Sequence, residues 1–191
     1  MKTLFLASAL ALTVAPVLAA PETYVVDASH SQIVFSYDHM GFSRTVSMFS
    51  GFDGEIQWDK ANPEDSSVTV SFPEDSLITG WDERTQHLLS GDFFGSNEAT
   101  DISFVSTGIE QTGESTGLIT GDLTVNGVTK EVVLDAVLNG QTDNHPMANV
   151  PWAGFNATTK LLRSDFGLGG FAPVVGDELT VEISIEAMKA E

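Results

Sequence analysis

Apolar and polar residues alternate along most of this chain, the pattern of strands with one face in a core. Ile33, Phe35 and Tyr37 fall on one face of the first run, and Gln32, Val34 and Ser36 on the other. Residues 46–49 lead into a second run, where Phe52, Gly54, Ile56 and Trp58 oppose Asp53, Glu55, Gln57 and Asp59. Gly51 and Gly54 predict a bend or bulge there. Val68, Val70 and Phe72 form a third run, ended by Pro73, and residues 102–106 a fourth. Residues 118–125 and 128–138 flank Asn126-Gly127, a strong signal for a hairpin with a type I′ turn. Trp152–Leu162 is the seventh run, and Leu179, Val181, Ile183 and Ile185 mark the last. Residues 140–151 read as a polar, mobile loop, and residues 164–176 as a Gly-rich loop with Phe166, Leu168 and Phe171 as apolar teeth.

The period changes over residues 76–94, SLITGWDERTQHLLSGDFF. Leu77, Trp81, His87, Leu88, Phe93 and Phe94 do not alternate. Residues 83–89 are good helix formers, Thr79 or Asp82 is placed to cap a short helix, and Gly91 to end it. An apolar helical insert in a β chain plugs the end of a barrel or lines the mouth of a cavity. About eight strands separated by turn signals predict an all-β chain that closes into a barrel or pairs two sheets. An eight-stranded barrel has room for one small ligand. The competing expectation is a sandwich whose core the 12 phenylalanines fill.

The N-terminus stands apart. Lys2 precedes an apolar, small-residue run, and Val17-Leu18-Ala19 fits signal-peptide cleavage after Ala19. Residues 1–19 are therefore expected to be a leader, residues 20–191 one domain, and the periplasm its compartment. The absence of cysteine means that no disulfide braces the fold. Net charge is −19, and losing Lys2 with the leader makes it −20. So acidic a chain is a poor partner for nucleic acid or anionic lipid, whose binding rests on Lys and Arg.

Several segments in order resemble the YceI-like family of polyisoprenoid-binding periplasmic proteins. They are Asp27-Ala28-Ser29-His30-Ser31, His39-Met40-Gly41-Phe42-Ser43, and the insert with Ser76-Leu77-Ile78-Thr79-Gly80, Arg84, His87-Leu88 and Asp92-Phe93-Phe94. Ile102-Ser103-Phe104, the hairpin 121–130 and Arg163 with Asp165-Phe166-Gly167 complete the set. Thr85, Met48 and Gly95 depart from the family pattern. The resemblance implies an eight-stranded antiparallel, lipocalin-like barrel with a short helical insert. Its long apolar pore would hold an isoprenoid tail, as in a quinone or a polyprenyl carrier.

Magnitudes favour a long tail. Each buried CH2 contributes about 0.8 kcal/mol and association costs roughly 4–15 kcal/mol, so a few carbons barely break even while a tail of ~20 binds tightly. The expected ligand-binding residues are Phe35, Phe49, Phe52, Ile56, Leu88, Phe93, Phe94, Phe104, Phe155 and Phe166 as wall, with Arg84, Arg163 and His87 near the mouth. For each arginine the alternatives are a ligand contact, a clamp on the insert, or an ion pair with one of the many carboxylates. His30, His39 and His87 lack metal-site spacing and read as structural. Neither a metal nor a cofactor beyond the non-covalent lipid is expected. No GxSxG elbow or other activated-nucleophile motif is present, so a binding protein is expected rather than an enzyme. A stress-related interaction module without a dedicated ligand, or an enzyme acting on a lipid, are the competing readings. A transient encounter with a membrane or membrane protein follows from the carrier reading, and a homodimer is left open.

Overall fold

The computed structural model describes residues 20–96 and 101–191. The expected leader and its cleavage site lie outside the described residues. Ten strands, each paired antiparallel to its neighbours, form one sheet. They are β1 (Glu22–Val26), β2 (Gln32–His39), β3 (Ser43–Phe49), β4 (Asp53–Trp58), β5 (Ser67–Pro73), β6 (Asp101–Gln111), β7 (Thr116–Val125), β8 (Val128–Thr142), β9 (Trp152–Leu162) and β10 (Glu178–Lys189).

The ten segments make eight walls. β1 and β2 follow one another along the same edge of β10, Val26 beside Ala187 and Gln32 beside Ser184. β3 and β4 do the same along β2 and β1. Two long strands are thus each broken once, and the pairing of β1 with β10 closes an eight-stranded antiparallel barrel. Side chains cause the first break. The Ser29 amide and hydroxyl both donate to Asp27 Oδ1, at 2.9 and 2.7 Å, which folds residues 27–30 into a turn. The second break falls at Gly51, whose φ of +74° suits a residue without Cβ.

The sequence expectation did not include β1, a five-residue strand at the start of the described residues. β6 and β8 also run further than expected, to Gln111 and Thr142, so the loop expected over 140–151 begins after Thr142. The hairpin forms as expected: Asn126 and Gly127 have φ of +51° and +72°, and Val125 pairs with Val128.

One end of the barrel gathers the β2–β3 turn, the Asn126-Gly127 turn, the loop after β9 and the insert. Within the insert, α1 (Asp82–Leu88) is the single α-helix among the described residues. Its N-cap is Trp81, with no side-chain cap bond, and it closes at Leu89 rather than Gly91. Thr79 does not cap it. The Thr79 hydroxyl instead shares hydrogen bonds with the Trp81 carbonyl and Thr85 Oγ1, both at 2.8 Å. Ile78 exchanges backbone hydrogen bonds with Met48 at 2.8 and 2.9 Å, so the insert adds itself to the β3 edge that β5 does not reach.

Candidate functional site

The inward faces of the walls leave an elongated apolar cavity of about 230 Å³ along the barrel axis. That is too large for a packing defect, since close-packed interiors hold few voids larger than a water. It decides between the two sequence expectations: the phenylalanines line a cavity and do not fill a sandwich core. On β6 the lining runs from Ile102 to Ile109, seven steps or roughly 23 Å along the strand. Phe94, Phe166 and Leu168 lie at the insert end, Trp58 and Ile109 at the other. Phe104, Ile119, Leu123 and Phe155 point inward yet are only half-buried, because their exposed faces border the cavity. The few polar residues of the lining are Ser66, Ser67, Asn156, Thr159 and Arg163.

Eight of the thirteen expected site residues lie on this lining: Phe35, Phe49, Ile56, Phe94, Phe104, Phe155, Arg163 and Phe166. Five do not. Phe52 is buried in the core beside the lining residue Phe72, its ring 5.0 Å from that ring, without itself reaching the cavity. Leu88 packs against the core from the insert without reaching the cavity. Phe93 sits at the rim, 5.9 Å from both the Phe171 ring and the Arg163 guanidinium. His87 is exposed, bonded to Asp92 at 3.3 Å and edge-on to Phe93. Arg84 folds back onto the Thr79 carbonyl within the insert. The expectation named aromatic residues first and so passed over Val70, Leu134, Ala136, Leu161, Leu179 and Ile183, which line the cavity too. Period-two alternation on their strands was the signal for them.

Among the described residues Arg163 has no ion-pair partner. Its guanidinium is buried and donates to the carbonyls of Leu168, Gly170 (2.8 Å), Val175 (2.8 Å) and Gly176 (2.9 Å). Burial lowers its pKa, partly offset by Asp177 and Tyr37. The side chain therefore clamps the Gly-rich loop across the barrel end, with four of its N–H groups given to backbone carbonyls. Glu74 and Asn126 brace the same end, with the Asn126 amide donating to Glu74 Oε1 at 3.2 Å and Asn126 Nδ2 to the Phe166 carbonyl at 3.2 Å.

The YceI-like domain matches residues 24–187, nearly all of the described chain. The chain belongs to the YceI-like family. A UPF0312 protein of Pseudomonas putida is 38% identical over 167 residues, covering 85% of this chain and 83% of the relative. One from Pseudomonas syringae pv. syringae is 37% identical over 172 residues, covering 87% and 86%. Among solved structures, the YceI protein of Campylobacter jejuni superposes with a TM-score of 0.72 at 28% identity, covering 81% of this chain and 90% of that one. A polyisoprenoid binding domain from Saccharophagus degradans shares the fold, with a TM-score of 0.64 at 14% identity, covering 87% and 98%.

Two further features belong to the outside of this YceI-like barrel. Asp27, His30 and Glu186 bring their donor atoms within 4.8 Å of one another. One of these contacts is already a hydrogen bond, His30 Nδ1 lying 2.6 Å from Asp27 Oδ2, and Glu186 Oε2 is taken up by a fourth residue, accepting from Trp152 Nε1 at 2.9 Å. Bonding to Asp27 raises the His30 pKa. Burial pushes Asp27 up, but the hydrogen bonds from His30 and Ser29 outweigh it and leave Asp27 below the usual carboxylate range. Glu186, at the far end of the chain on β10, is the member that sequence spacing had no means of adding. At the insert end, large apolar side chains stand in solvent on three separate segments: Phe42 (86% exposed), Trp81 (61%) and Phe171 (58%).

Proposed function

We propose that this chain is a periplasmic carrier that withdraws a long isoprenoid lipid, of the quinone or polyprenyl type, from water. The observation that carries the reading is the elongated, almost wholly apolar cavity inside the barrel. A narrow apolar bore selects by length and flexibility of a tail, because each buried CH2 contributes about 0.8 kcal/mol. It offers few hydrogen bonds with which to orient a compact polar molecule. The kinship with a polyisoprenoid binding domain of the same fold supports the tail being an isoprenoid.

The exposed Phe42, Trp81 and Phe171 support the insert end as the place of exchange with a membrane, where aromatic side chains sit well at the interface. The mechanism is sequestration rather than catalysis. The test is titration of the mature protein with menaquinone-4, followed by native mass spectrometry. A one-to-one complex is expected. A protein that takes up neither menaquinone-4 nor a longer prenyl lipid contradicts the reading.

A further inference from the structure

Trp58 reaches from one wall of the barrel to the wall opposite. It ends β4, and its indole Nε1 donates to Gln141 Oε1 on β8 at 3.2 Å. The same walls lie between β4 and β8 whichever way round they are counted: β5, β6 and β7 on one side, β1, β10 and β9 on the other. The indole therefore lies across the bore, at the end away from the insert. The Phe155 ring, on β9, meets it edge-on with the centroids 5.4 Å apart. Two residues beyond Trp58 and Gln141, Lys60 Nζ and Asp143 Oδ1 add a second tie at 3.1 Å.

A bulge aims Gln141 at the bore. Ala136 and Leu138 face inward on β8, so unbroken alternation would turn Gln141 outward. The register slips between Leu138 and Gly140, and Gln141 then pairs with Ala153, an inward residue. Beyond the indole the barrel is filled. Phe155 and Ile185 line the cavity, and the next inward positions on their strands are Ala153 and Ala187, 1% and 0% exposed and off the lining. With Tyr24 and Ile56 they pack against Trp58 and Leu138 as a cluster separate from the main core.

We infer that Trp58, held by Gln141 and Phe155, is the stop that sets the longest tail the bore can bury, so that this protein grades prenyl lipids by tail length. This rests on the carrier reading, with the tail in the bore. Each isoprene unit that enters takes its carbons out of water, whereas a unit that finds the bore full stays wet and adds nothing. A stop thus turns a steady gain with length into a rise followed by a plateau. An indole suits the task, because it is large, rigid and here anchored through its N–H.

The test uses the all-trans prenyl alcohols from farnesol to solanesol, which share one small head and differ in length. Each is titrated into the wild-type protein and into the Trp58→Leu and Gln141→Ala variants. In the wild type, affinity is expected to rise about tenfold or more per isoprene unit and then to level off, longer tails changing it by less than about twofold. In Trp58→Leu the rise is expected to continue for at least one further unit. In Gln141→Ala, where the indole loses its anchor, it should continue too, with a smaller gain. The readout is where the rise stops within each protein's own series, so a uniform change in affinity does not mimic it. A wild-type series without a plateau, or a plateau that Trp58→Leu leaves at the same length, overturns the stop while leaving a bore that binds tails. Movement in Trp58→Leu alone removes Gln141 as the anchor. Gln141 is exposed at the mouth and its variant is expected to fold, so if Trp58→Leu does not, an unmoved plateau in Gln141→Ala decides against the stop. If no alcohol binds the wild type, the carrier reading fails and takes the stop with it.

Discussion

The ring of Phe104 occupies the space where Gly121 would carry a side chain. A Cβ on Gly121 would lie 2.4 Å from Phe104 Cζ and 2.6 Å from the Val105 carbonyl oxygen. The two residues sit on paired strands, and the ring covers the glycine while its other face borders the cavity. Gly121→Ala must therefore both drive the ring toward the bore and part the two backbones. The expected cost is about 1–3 kcal/mol, the usual range for overpacking. Urea unfolding measures it, and an unchanged midpoint contradicts the contact.

The bore is narrow in side-chain volume where Ala136 and Ala157 face each other across β8 and β9, both lining the cavity. A large ring there fills space that the proposed tail needs. Ala157→Phe is expected to fold, because the cavity can take the added ring, and to weaken menaquinone-4 binding about tenfold or more. Circular dichroism checks the fold and titration the binding. A folded variant with wild-type affinity places the tail somewhere else.

Arg163 holds the Gly-rich loop through four carbonyls. Arg163→Met strips those acceptors of their donors in a partly buried setting. A loss of roughly 2–4 kcal/mol is expected, with faster amide exchange over residues 168–176. Arg163→Lys, with a single ammonium, should recover only part of it. Unaltered exchange in that loop argues against the clamp.

The Asp27–His30 pair gives stability a pH dependence with two edges. His30 has a raised pKa, so its contribution is fully present below the unfolded imidazole value and is lost as pH climbs through the folded one. Asp27 has a lowered pKa, so its contribution is present above the unfolded carboxylate value and fades as pH falls through the folded one. The pair therefore contributes most between about pH 4 and 6.5. Asp27→Asn should return the His30 titration, followed by NMR, toward the ordinary imidazole value. A His30 pKa that does not move means the carboxylate is not its partner.

The barrel was legible in the sequence because it is written locally. Alternation marks each inward face, and Asn126-Gly127 fixes one hairpin by backbone geometry alone. β1 was missed because five residues ahead of a turn carry little periodic signal. The site was half legible. Phe35, Phe49, Phe104 and Phe155 could be named because strand parity puts them inward. Phe93, His87 and Leu88 could not be placed, since the insert has no such parity and its orientation is set by long-range contacts, among them the bridge between Ile78 and Met48 and the packing of Leu77 and Phe94 on the core. Arg163 was recognised as special, but its partners are carbonyls of a loop, which no side-chain pattern announces.

The central claim is that the cavity holds an isoprenoid tail in life. Native mass spectrometry of the protein purified from its native source, paired with organic extraction, tests it most directly. The account predicts an added mass at one-to-one stoichiometry and a prenyl lipid or quinone in the extract. A bare polypeptide mass that added menaquinone-4 and longer prenyl lipids leave unchanged would contradict it.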